Sequence, residues 1–222
     1  YGVSTVPSSS PDERTFRVVS DIAENIARMA QSEAERPRLS HFMYAAELQA
    51  SLGNRARAIQ LLEAAPQTED RYINPTENFM RSVGSQLVLR HYYEAGGNSP
   101  HILLKAASAE IDLVRASEYL EKAFLDFSAK EPWPDFNWME RTVERAAKLG
   151  LKELSLQLAH ALKDQADTAR SAFPVFSHIY ATRALIIAGA DEAAIRKGIS
   201  DAKSFFPQDN KEVVGIGIVS GP

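Results

Sequence analysis

Apolar residues recur at intervals of three and four along most of this chain, the spacing that lays one buried stripe along a helix. Phe16, Val19, Ala23, Ile26 and Ala30 form the first stripe. It follows Ser10-Pro11-Asp12-Glu13, where Ser10 is placed to cap, Pro11 to take the first helical position and Glu13 to close a capping box. Pro37 ends that helix, because the residue before a proline is pushed out of helical geometry. Residues 39–65, LSHFMYAAELQASLGNRARAIQLLEAA, then predict two helices folded back across Gly53-Asn54, with Gly53 left-handed and Asn54 as the cap. Small residues stand where the two backbones must approach: Ala46 on one side, Ala58 and Ala65 on the other.

Asn74-Pro75-Thr76-Glu77 repeats the cap, proline and box arrangement, and opens a helix through Phe79, Val83, Leu87 and His91 that stops at Gly96-Gly97. Ser99-Pro100 restarts the pattern. Ile102, Ala106, Ala109, Leu113, Ala116, Leu120, Ala123 and Phe127 keep one face, as a single long helix or as two joined by a kink near Ala109-Glu110. EPWPDFNW reads as a rigid aromatic loop. Two further pairs are predicted, residues 135–149 with 151–165 across Gly150, and 174–188 with 191–205 across Gly189. Residues 212–222, EVVGIGIVSGP, lose the helical period and read as an extended tail or short strand.

The expected fold is all-α. Aligned on Gly53, Gly150 and Gly189, three segments share a helix, a glycine and a helix, with a small residue (Ala58, Ser155, Ala194) five positions on. The layout resembles the tetratricopeptide repeat family, best over residues 39–65 through Ala46, Gly53, Ala58, Leu62 and Ala65. Around Gly150 it keeps Ser155 and Ala159 but has Val143 where a small residue belongs; around Gly189 it keeps Ala181, Ala194 and Ala202. Residues 75–130 do not divide at the family's spacing of about 34 residues. The resemblance covers about half the chain, and a generic helix-pair domain is the competing reading. It implies an α-solenoid of antiparallel hairpins with about nine or ten helices. Residues 1–9 would be an extended tether, 10–207 one helical-repeat domain (hairpins at 39–65, 75–130, 135–165 and 174–206), and 208–222 an extended tail.

Composition narrows this picture. The 222 residues include 45% hydrophobic side chains, enough for a sizeable core. A net charge of -4 with no long basic run argues against a nucleic-acid partner. With no cysteine, disulfides, thiol catalysis and cysteine-based zinc sites are excluded. No apolar run approaches the roughly 20 residues of a membrane span. The chain opens on Tyr1, and GVSTVPSSSP resembles the tether behind an export signal. The expectation is a bacterial protein that is exported, periplasmic or lipid-anchored, against a cytoplasmic protein trimmed upstream.

Candidate chemistry is sparse. His41, His91, His101, His160 and His178 are never three or four apart, so no one-face metal pair forms, and each is read as structural. Glu140 and Glu144 share a helix face, but Arg141 and Arg145 interleave with them as on a solvated face. Gly215-Ile216-Gly217 imitates a dinucleotide fingerprint without the helix that motif requires. No catalytic residue, metal or cofactor is expected. In the aromatic tract, Trp138 is read as core and Trp133 as the exposed aromatic contact.

The resemblance implies a concave groove that receives a peptide or partner helix. Its inner positions fall on Met43 and Glu47, on Asn137, Glu140 and Glu144, and on Phe176, Ile179 and Arg183. The Lys and Asn of the family's carboxylate clamp are absent, and Arg81, Arg90 and Arg183 suit an acidic or helical ligand. The expected function is a non-catalytic scaffold or adaptor. The alternatives are a helical regulatory domain of a larger enzyme or transcription regulator, and an all-helical enzyme of unfamiliar type. The tail also points to pairing with a second copy of the chain.

Overall fold

A computed structural model describes residues 12–31, 39–65, 73–130, 132–168 and 174–205, and every regular element among them is a helix. There are eleven: α1 (Glu13–Gln31), α2 (Leu39–Ser51), α3 (Arg55–Glu63), α4 (Glu77–Val83), α5 (Ser85–Glu94), α6 (Pro100–Ala109), α7 (Leu113–Ser128), α8 (Phe136–Lys148), α9 (Lys152–Thr168), α10 (Pro174–Ala188) and α11 (Glu192–Ser204). The all-α expectation is met. The chain divides into two compact units, Tyr1–Ile111 with α1–α6 and Asp112–Pro222 with α7–α11, so the boundary falls inside the range 10–207 read as one domain. The expected tether 1–9 and tail 208–222 lie outside the described residues.

Several element ends differ from the sequence reading, each for a local reason. Asp12 closes the start of α1, its Oδ1 accepting the Thr15 N–H at 2.7 Å; the expected Ser10 cap lies outside the described residues. Thr76, not Asn74, caps α4, its hydroxyl accepting from the Phe79 N–H at 3.2 Å; Asn74 instead accepts from the Lys105 ammonium at 2.5 Å. Two helices replace the single one expected from 77 to 95. They are broken at Gly84, whose φ of 109° and ψ of 124° suit a residue without a Cβ. Residues 100–128 form two helices, the second of the two readings offered for this stretch, with the break at the expected Ala109-Glu110. Glu110 turns extended, and Asp112 starts α7 by accepting from the Val114 N–H at 2.9 Å.

In the first unit α2 packs between α1 and α3 and also meets α4. Leu39, Phe42, Met43, Ala45 and Ala46 go under, together with the polar Gln49. Gln49 donates to Ser20 Oγ and Glu24 Oε1, both at 3.2 Å, and its oxygen accepts from Asn54, so the capping residue of α3 is tied through Gln49 to α1. Arg57 on α3 forks onto the two oxygens of Glu24 at 2.7 and 2.6 Å. Bidentate geometry of this kind fixes orientation as well as adding attraction.

In the second unit α8 and α9 form one antiparallel hairpin and α10 and α11 another, turning at Gly150 (φ 76°) and Gly189 (φ 71°). α10 packs on α8, α9 and α11, and α7 on α8. The crossings use small residues: Ser155 against the Val143 carbonyl, Ala181, and Gly198, where a Cβ would lie 2.7 Å from Thr182 Oγ1. Trp138 stacks on Phe127 with centroids 5.9 Å apart, and Arg141 covers it at 4.6 Å.

Candidate functional site

The second unit brings most of the groove residues named above to neighbouring helices. The inner side of α10 buries Ser177, His178, Ala181, Thr182, Ala184 and Leu185. Its outer side carries Phe176, Ile179, Tyr180, Arg183, Ile186 and Ile187, so apolar side chains stand on both sides of α10 and Arg183 is the only charge on the helix. A helix apolar all round is ordinarily buried all round. Yet Phe176 is 55% exposed and Ile186 46%.

α8 presents Asn137, Glu140 and Glu144 on one side. Glu140 is only 4% exposed, and its Oε1 lies 3.0 Å from Arg183 Nη2 of α10, which ties the two helices together. Burial pushes the Glu140 carboxyl above its ordinary value; the Arg183 charge opposes that shift and neighbouring Glu144 adds to it. Glu144 is drawn the other way, below its ordinary value, by its hydrogen bond with Lys148. Trp133 is exposed in the loop before α8.

The first-unit residues do not gather in the same way. Met43 is almost wholly buried and, with Ser40, Tyr44, Glu47, Ile73, Asn74 and Pro75, lines a shallow cleft. Glu47 accepts from Thr76 Oγ1 at 2.5 Å. Arg81 is turned to the Ser108 carbonyl at 3.2 Å, and Arg90 lies against His91 Nε2 at 3.5 Å.

A second cluster went unnoticed in the sequence. Lys163 on α9 is buried, and its ammonium bonds Asp167 on the same helix and Asp201 Oδ2 on α11, the latter at 2.8 Å. Burial works against the lysine charge, but the two aspartates outweigh it and hold the group above its ordinary value. His178 of α10 points into the same place. Its Nδ1 stands 3.6 Å from Asp167 Oδ1, beyond hydrogen-bond reach, and no other partner meets it. Burial first, and then the Lys163 charge, push the His178 value down. Phe205 stacks on the ring at 4.9 Å. These residues come from three helices, so no single-helix spacing announces them.

Among the described residues no helix is long and apolar enough to cross a membrane. Among the described residues, the fold and these two sites define an all-helical protein with a partly exposed apolar helix and a half-buried charged cluster. No family model, no curated protein and no solved structure matches the chain, so geometry alone carries its functional reading.

Proposed function

We propose that this chain is a non-catalytic helical scaffold, built from tetratricopeptide-like hairpins in its second unit, that docks an apolar helical segment of a partner protein on the outer face of α10. One observation carries the reading: α10 has the composition of a buried helix but leaves Phe176, Ile186 and Ile187 exposed. The packing of α10 on both members of the preceding hairpin is what supports the repeat-like description. The Glu140–Arg183 pair, with Arg183 between Ile179 and Ile186 on the outer side of α10, sets a polar register mark within the apolar strip. A partner helix with apolar residues at three-and-four spacing and one hydrogen-bonding side chain opposite Arg183 complements that surface.

A phage-displayed library of helical peptides, selected against the intact chain, tests the reading. Selected peptides are expected to share that apolar spacing and to lose at least about tenfold in affinity to Phe176→Asp or Ile186→Asp, as for central apolar anchors. His160→Asp, an exposed change on α9, is expected to bind like the parent chain. Peptides without the spacing, or binding untouched by both α10 changes, would sink the assignment.

A further inference from the structure

The charged cluster between α9, α10 and α11 is chemically incomplete as it stands. The Lys163 ammonium satisfies one oxygen on each aspartate but balances only one of their two charges. It also does nothing for His178, which is 5% exposed with a buried Nδ1 that has no hydrogen-bond partner. Leaving a buried polar nitrogen unmade is costly, and such an atom in a native fold calls for an explanation.

A divalent ion completes all three groups at once. One ligand atom each from Asp167, His178 and Asp201 lies within 4.8 Å of the others. In tetrahedral zinc, bonds of about 2.0–2.1 Å put ligand atoms roughly 3.3–3.5 Å apart. The 3.6 Å between His178 Nδ1 and Asp167 Oδ1 is already close to that edge. Asp201 Oδ2, now held at 2.8 Å by the Lys163 ammonium, would leave it to close the remaining distance. A mixed nitrogen and oxygen set selects a borderline ion over magnesium or calcium, which prefer oxygen alone.

We infer that Asp167, His178 and Asp201 form a site for one divalent transition-metal ion of the zinc class, which replaces the Lys163 ammonium as the cation between α9 and α11 and adds α10 to the junction. The two carboxylates then match the ion's two charges, Nδ1 gains a bond, and a water completes four-coordination. Lys163 swings outward and remains protonated. The site lies on the inner side of α10, so it is independent of partner docking on the outer side.

Isothermal titration of the metal-free full chain with zinc chloride tests this, together with the visible absorption of the cobalt(II) form. One ion per chain is expected, with the intense bands of tetrahedral cobalt. His178→Ala and Asp201→Asn are each expected to weaken binding by at least about tenfold, with unchanged far-ultraviolet circular dichroism. Lys163→Met removes the competing ammonium and is expected to tighten it. Magnesium chloride is expected to give no comparable heat. The inference is overturned if neither the parent chain nor Lys163→Met binds zinc, or if binding survives both ligand changes, which would place the ion on other side chains. It is equally overturned if Lys163→Met weakens binding while the fold is kept.

Discussion

Glu140 shows how differently one side chain reads in sequence and in space. Interleaved with Arg141 and Arg145 it has the pattern of a solvated face, yet it is buried, and its partner is Arg183 on another helix. Its folded value is raised, so the ionised form weakens the fold as pH climbs through the window from the unfolded value of about 4.5 to the folded one, and fully above it. Arg183 offsets that cost. Arg183→Met is therefore expected to destabilise the second unit by about 1–3 kcal/mol at mildly alkaline pH, the cost of stranding a buried polar group. The loss should shrink as pH falls towards 4.5, where the carboxyl takes a proton. Urea unfolding at the two pH values measures it, and an equal loss at both would show that Arg183 acts through packing alone. His178 teaches the same lesson. It was read as a structural side chain, and its convergence with Asp167 and Asp201 was not readable, because the three residues stand on three different helices.

At the scale of elements, the turns were the most legible features. Gly53, Gly150 and Gly189 all take positive φ at the predicted places, since a helix that reverses tightly needs a left-handed residue there. Gly84 was missed because the apolar stripe of α4 runs on into α5 and hides the break. Gly198 was missed for another reason: its role is to admit α10, and closeness to Thr182 is a property of two helices together. Gly198→Ala gains about 0.5–1 kcal/mol of intrinsic helix preference. The new Cβ, however, meets Thr182 Oγ1 at 2.7 Å and both Thr182 side-chain carbons at 3.4 Å, and turning the β-branched side chain away would give up its hydroxyl's bond to the His178 carbonyl at 2.7 Å. A net loss of about 1–3 kcal/mol is expected, typical of overpacking. The double change Gly198→Ala with Thr182→Ala should recover part of it in thermal unfolding; strict additivity would count against the contact.

Across the whole molecule, each unit carries its own core: Phe42, Leu62, Phe79 and Met80 in the first, Leu120, Phe127, Met139, Leu162 and Leu185 in the second. Residues 112–222 expressed alone are accordingly expected to keep a helical circular dichroism spectrum. They should unfold cooperatively in urea, with a slope of about 1–3 kcal/mol per molar. A gradual, non-cooperative loss of signal would show that this core does not suffice by itself. The division at 111 and 112 was not readable, because an apolar face runs unbroken through Leu113 and gives no change of composition there.

The sequence by itself determined the all-α class, most helix spans and the left-handed glycine turns, because these depend on spacing and backbone preference within a few residues. It also put Phe176, Ile179 and Arg183 on one helix face, and Asn137, Glu140 and Glu144 on another, for the same reason. Only the tertiary structure decided which of those side chains are buried, that Glu140 meets Arg183, that α10 keeps an apolar face uncovered, and that Lys163, Asp167, His178 and Asp201 converge. Charge pairing and desolvation depend on distance through space, and residues on separate helices, even successive ones, share no local pattern that records it.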